Sequence, residues 1–203
     1  MRQSAVNDCA RVLAHFGVVT DGAAAIDVGG TETVCLDGAM ARNPLLDRHR
    51  DLLLLDEGFT QRALGTTADA CVDFLDPAVV ERLAGRFDLV HTFDTLEHVA
   101  NPFRFVEHLI AVAKPGGWIY AATVFQWMYH PSPEDYFRFS PTGLYELFRS
   151  PLNARRDECT VLWYGWGSDP NGTALLARRN ANGEPAAGAG AVCAAVPELV
   201  GAG

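Results

Sequence analysis

The chain has 203 residues, 49% hydrophobic and 20% charged, which suits one globular domain with its own core and excludes a disordered chain. Its formal charge is −9, and Lys114 is the only lysine among sixteen basic residues. With the arginines dispersed, no basic cluster is in place to hold a phosphate backbone, so nucleic acid is not expected as a partner.

No apolar stretch approaches the roughly 18 to 20 residues that span a bilayer. The opening MRQSAVNDCARVLAHF has no signal-peptide core. The default expectations are therefore no membrane partner and a cytoplasmic location. Five scattered cysteines, never spaced as CxxC, argue against a disulfide framework and against structural zinc.

In chain order, residues 4–16 carry apolar groups at helical spacing, with Gly17 as a C-cap. GAAAIDVGG (22–30) reads as a small-residue strand that ends on glycines, and DLLLLDEG (51–58) as a second strand closed by Asp56. ADACVDFLDP (68–77) is a third and weaker strand. PAVVERLAGR (77–86) opens with proline at a first helical position and predicts a helix. Phe87 to Phe93 is a fourth strand. NPFRFVEHLIAVAKPGG (101–117) predicts a helix capped by Asn101 and stopped by Pro-Gly-Gly. WIYAATVF (118–125) is a fifth strand, and a short helix enters from Ser140. CTVLWYGW (159–166) and TALLARR (173–179) are the last two strands.

Short strands that are apolar on both faces and mostly alternate with helices predict a layered α/β domain. The expected organisation is one domain over 1–180 and an Ala/Gly-rich, mobile tail over 181–203.

Four successive strands end in acids: Asp27, followed by Gly29 and Gly30, then Asp56, Asp73 and Asp94. In open α/β sheets, ligands sit beyond the carboxyl ends of the strands. Glycines there let backbone come close to a ligand. Asp56 is placed to accept from a ribose diol, and Asp73 from an exocyclic amine, since ionised carboxylates only accept. The plainer alternative is that each acid caps a helix N-terminus. Capping does not require glycines at the first turn.

AAAIDVGGTET, LLLLDEG, ACVDFLD, FDLVHTFDTLEHV and AVAKPGGWIYAAT, in this order, resemble the class I S-adenosylmethionine-dependent methyltransferases. The resemblance spans about residues 20–180 and lies nearest the ubiquinone-biosynthesis O-methyltransferase branch. It implies a Rossmann-like three-layer α/β sandwich with helices on both faces. The sheet would have seven mostly parallel strands in the order 3-2-1-4-5-7-6, strand 7 antiparallel. It also implies S-adenosylmethionine as cofactor, S-adenosylhomocysteine as product, and cofactor contacts at Asp27, Gly29, Gly30, Asp56, Asp73, Phe74, Phe93 and Asp94. Phe74 would lie against the adenine. Where the family turn reads D-x-G-x-G-x-G, this chain has Thr31 and Thr33 at the second and third glycine positions. β-Branched residues resist positive φ, so either the turn is rebuilt or cofactor binding is weakened.

A helix beginning near Asp94 would place Asp94, Glu97 and His98 on one face, which the resemblance points toward the sulfonium methyl. Three readings stand: His98 as general base; a divalent-metal site of the kind some relatives build from E-x-x-E-H, completed here by His130; or Glu97 and His98 as braces. The metal is not favoured.

FQWMYHPSPEDYFRFSP (125–141) resembles a pattern that similar methyltransferases carry as H-x-x-P-x-D-Y-x-R-F. It suggests Trp127, His130, Tyr136 and Arg138 around the substrate, with a loop-fixing pairing of Arg138 to Asp135 as the alternative. The expected activity is methyl transfer to a small-molecule acceptor, most readily at oxygen, with Glu97, His98 and His130 as the catalytic group. The rival classes are a nicotinamide oxidoreductase, whose G-x-G-x-x-G turn is absent here, and a catalytically silent binding protein. The sequence is silent on oligomeric state.

Overall fold

The structure is a computed structural model and describes residues 1–36, 39–49, 51–58, 67–131 and 133–181. The expected tail therefore lies, after Ala181, outside the described residues. The elements are helix α1 (Gln3–His15), strand β1 (Ala24–Val28), a hairpin of β2 (Thr33–Leu36) and β3 (Ala39–Arg42), and β4 (Asp51–Asp56). They continue with β5 (Ala70–Cys71), α2 (Pro77–Leu83), β6 (Phe87–Phe93), α3 (Pro102–Val112), β7 (Ala113–Val124), α4 (Pro141–Arg149), β8 (Cys159–Trp166) and β9 (Gly172–Arg179).

Seven strands form one sheet in the order β5-β4-β1-β6-β7-β9-β8. β1, β4, β5, β6 and β7 pair in parallel, and β9 runs antiparallel to both neighbours. This is the expected order with its one reversed strand. Strand order switches direction between β1 and β6, which opens a crevice at their carboxyl ends.

Local chemistry sets the helix boundaries. Asp76, Asn101 and Ser140 accept from Ala78 N–H, Arg104 N–H and Gly143 N–H, and each is followed by proline at the first helical position. Helices α2, α3 and α4 bury Val80, Phe105, Leu109, Leu144 and Phe148 against Ile26, Val90 and Ile119 on one face of the sheet. On the other face α1 lays Val6, Cys9 and Leu13 against Ala25, Leu89, Phe93 and Tyr120. Asp8 of α1 is buried and accepts from Ser168 N–H at 2.7 Å, tying the helix to the β8–β9 turn.

Two boundaries differ from expectation, and a hairpin appears where no element is expected. The helix from Asn101 stops at Val112, and Ala113 to Gly117 join β7, where β6 pairs across a register shift. The third strand shrinks to Ala70–Cys71. After the glycine turn the chain does not enter an α-helix: it forms the β2–β3 hairpin and a 3-10 turn over Pro44–Asp47. The turn is thus rebuilt around Gly29 and Gly30. Thr31 is buried, and its Oγ1 donates to the Thr33 carbonyl at 2.8 Å. Among the described residues, no helix is long and apolar enough to cross a membrane.

Candidate active site

A cavity of about 790 Å³ opens along the carboxyl ends of β1, β4, β5 and β6. Of the residues expected around the cofactor, Gly29, Asp56, Asp73, Phe74, Phe93 and Asp94 line it; of the expected catalytic and substrate groups, His98, His130, Trp127 and Tyr136 do. Asp27, Gly30, Glu97 and Arg138 are not on its wall. Of these four, Glu97 and Arg138 lie against lining residues, Glu97 near His98 and His130 and Arg138 on the Trp127 carbonyl.

Gly29 takes φ +91° and has no room for a Cβ, because the Thr95 side chain occupies that space. A Cβ on Gly30 would collide with the Asp27 carboxylate. The first glycine therefore brings β1 and the end of β6 together, and the second accommodates a buried acid. Asp27 is fully buried; its Oδ2 accepts from Asn43 Nδ2 at 3.1 Å and its Oδ1 has no partner. Burial pushes its pKa up to about 7, against the Asn43 hydrogen bond. Asp56 is nearly buried and accepts from Gly58 N–H at 2.7 Å. Asp73 is exposed and accepts from Leu75 N–H at 2.7 Å. Phe74 packs edge-to-face on Phe105 at 5.2 Å while reaching the cavity.

The expected helical face through Asp94, Glu97 and His98 does not form. Asp94 has φ +48°, a left-handed conformation that aspartate tolerates better than most residues, and only Leu96–His98 make a 3-10 turn. Asp94 turns instead to Arg2, which donates from Nη2 at 2.8 Å and from Nε at 3.1 Å. Arg2 also donates to the Thr123 carbonyl at 3.0 Å and lines the cavity. Nothing local in the sequence marks it, since 92 positions separate it from Asp94.

What does converge is Glu97, His98 and His130, with one ligand atom from each within 4.8 Å of the others. Glu97 Oε2 accepts from Thr123 Oγ1 at 2.8 Å, while its Oε1 is buried without a partner, 3.9 Å from Nε2 of each histidine. Burial, and then the negative charge of Asp94, raise the Glu97 pKa to about 8. Burial lowers that of His98, with His130 adding to the effect. Two imidazole nitrogens and one orphaned carboxylate oxygen at these separations fit a divalent ion of the zinc, manganese or iron kind. They suit magnesium less, since it prefers oxygen ligands.

Arg138 is drawn off the cavity by Asp135, which it clamps through both Nη atoms, and by the carbonyls of Met128 and Phe137. The alternative raised for it, holding the loop, is what its contacts do. Asp135 is itself held well below the ordinary carboxylate range, chiefly by that pairing.

Strand order, the glycine turn at the switch point and acids on one shared cavity define the architecture of class I S-adenosylmethionine-dependent methyltransferases. A methyltransferase domain family model matches residues 33–166, more than half of the chain, and the chain belongs to that family. The ubiquinone biosynthesis O-methyltransferase of Bordetella pertussis is 36% identical over 66 residues, 31% of this chain and 27% of that protein. The match thus spans only about a quarter of the curated relative.

Among solved structures, the Burkholderia thailandensis 1,6-didemethyltoxoflavin-N1-methyltransferase, with bound 1,6-didemethyltoxoflavin and S-adenosylhomocysteine, superposes with TM-score 0.56. It is 16% identical, covering 88% of this chain and 79% of that one. A SAM-dependent methyltransferase from Aquifex aeolicus superposes with TM-score 0.53 at 17% identity, over 85% and 89% of the two chains.

Proposed function

We propose that the chain transfers the methyl group of S-adenosylmethionine to a hydroxyl oxygen of a small molecule, in the cavity beyond β1, β4, β5 and β6. The observation that carries this reading is that Gly29, Asp56, Asp73, Phe74 and Asp94 share one hollow with His98 and His130. In this reading Asp56 accepts from the ribose hydroxyls and Phe74 lies along the adenine. Arg2, the one guanidinium on the wall among the described residues, meets the cofactor's carboxylate while it stays paired with Asp94. The acceptor enters past Trp127 and Tyr136, both about half exposed at the mouth.

The step is an in-line displacement. The acceptor oxygen bonds to the methyl carbon, the carbon–sulfur bond breaks with its electron pair staying on sulfur, and the hydroxyl proton passes to Nε2 of His98. Lowered basicity through burial keeps that nitrogen unprotonated at neutral pH and ready to accept. Holding the two reactants in line supplies most of the acceleration.

A second reading is favoured by the orphaned Glu97 Oε1. Glu97, His98 and His130 would hold a divalent ion, which supplies Lewis acidity toward an acceptor oxygen when bound. The O-methyltransferase name of the curated relative supports oxygen as the acceptor atom; the N1-methyltransferase neighbour shares only the fold.

Calorimetry with S-adenosylhomocysteine and with NADH tests the cofactor half of the proposal. Saturable binding of the first and none of the second is expected, and the reverse overturns it. Transfer of labelled methyl to a panel of phenols and amines, with and without manganese, tests the rest.

A further inference from the structure

We propose that Asp135 is a positioning residue that holds His130 in its Nδ1–H tautomer and thereby turns the Nε2 lone pair onto Glu97. The inference deepens the reading above and rests on His130 belonging to the reacting cluster.

Nδ1 of His130 lies 3.0 Å from the Met128 carbonyl and 3.2 Å from Asp135 Oδ2. Both oxygens can only accept, so this nitrogen carries the hydrogen. The same Oδ2 accepts the His130 backbone N–H at 2.8 Å, which fixes main chain and ring together. The Asp135 side chain is 1% exposed and anchored by Arg138 from both its nitrogens.

One contact opposes the assignment: Arg138 Nη2, a donor, stands 3.4 Å from His130 Nδ1. It is the longest approach to that nitrogen. The guanidinium N–H groups are already directed at Asp135 Oδ2, at 2.7 Å, and at the Met128 carbonyl, at 3.0 Å.

His98 repeats the arrangement, with Nδ1 against the Glu134 carbonyl and Nε2 3.9 Å from Glu97 Oε1. The loop after β7 therefore supplies the Nδ1 acceptors for both rings. The result is two imidazole lone pairs turned toward one carboxyl oxygen, with no imidazole hydrogen between them. That arrangement receives a proton from the acceptor hydroxyl, or a cation. Were His130 to hold its hydrogen on Nε2, the ring would aim a donor at Glu97 and offer no lone pair. Asp135→Asn keeps the side-chain shape but removes the carboxylate charge that holds the Nδ1 hydrogen, and so shifts the balance toward that wrong tautomer.

The test begins on the unmodified protein, with two-bond ¹H–¹⁵N correlation spectra of ¹⁵N-histidine-labelled material at one neutral pH. His130 is expected to show a protonated Nδ1 and a bare Nε2; a majority Nε2–H form overturns the proposal, whether or not any variant folds. In Asp135→Asn, where the Met128 carbonyl remains as an acceptor, the Nε2–H fraction should rise clearly above that of the wild type. The variant's kcat should fall about 10- to 100-fold, the range typical when the partner behind a metal-ligating histidine is changed, with KM for S-adenosylmethionine within about twofold. In a His130→Ala background the same change should cost no further activity, because Asp135 acts through His130. An undiminished loss in that background overturns the proposal. The tautomer reading needs no turnover, so a bare Nε2 in a protein that methylates nothing would sink the proposed function and leave the placement of Asp135 standing.

Discussion

Asp27→Asn isolates the energetic cost of the buried acid behind the glycine turn. In the folded protein its pKa is about 7, against an ordinary 3.8, because burial disfavours the charge more than Asn43 supports it. The native state therefore keeps a proton that the unfolded chain has already lost between about pH 4 and 7. Stability from this group is fully present below the lower value and falls as pH rises toward the upper one. At 1.36 kcal/mol for each pH unit, the interval comes to about 4 kcal/mol as an upper bound.

The assay is urea unfolding followed by circular dichroism from pH 4.5 to 8, for the wild type and Asp27→Asn. Asparagine is neutral throughout and still offers an oxygen to Asn43, so the variant should gain on the wild type steadily up to about pH 7 and then run parallel to it. Groups other than Asp27 are common to both proteins and cancel in the difference. Two curves parallel over the whole range would show that Asp27 is ionised when folded and would refute the reasoning.

Gly29→Ala should abolish measurable binding of S-adenosylhomocysteine and lower the melting temperature, because the position combines φ +91° with the Thr95 side chain where a Cβ would sit. His98→Ala should lose turnover while calorimetry shows cofactor affinity within about twofold of wild type; turnover within a few-fold of wild type would end the base assignment. Arg2→Met leaves Asp94 without its guanidinium partner. It should destabilise the fold by about 3–5 kcal/mol, as loss of one member of a buried ion pair does, and weaken S-adenosylhomocysteine binding, both measured on the same preparation. If the metal reading holds, dialysis against a strong chelator should lower activity and added manganese or zinc should restore it, while Glu97→Gln should lose metal uptake by elemental analysis.

How far the sequence could be read depended on whether the signal was local. The seven-residue run from Phe87 to Phe93 was recognisable because both faces of that strand are buried, and Asn101-Pro102 marked a helix start by side-chain chemistry alone. The spacing Asp94, Glu97, His98 was read as one helical face, yet spacing does not say where a helix begins. One left-handed residue at Asp94 was enough to turn its carboxylate toward Arg2 and leave Glu97 facing the histidines. The β2–β3 hairpin has a half-signal only: Asp37-Gly38 is a recognised hairpin dipeptide, but Ala39–Arg42 after it carries no β-branched or aromatic residue. Arg2 was beyond reach, since its role depends on the α1 packing that brings it to the end of β6. Glu97, His98 and His130 stand out in the sequence by their chemistry; their convergence on one oxygen depends on the loop after β7 folding back over the end of β6.

The hairpin after Gly30 changes what this nucleotide-type crevice is made of. Where a strand feeds directly into a helix, the first turn greets a negatively charged group with fixed backbone amides that no substitution can remove. Here that place is taken by a ribbon, and the only guanidinium on the wall, among the described residues, is that of Arg2, which precedes the first strand. In the proposed reading charge recognition moves from main chain to side chain, and the cavity wall is complete only once helix α1 has docked.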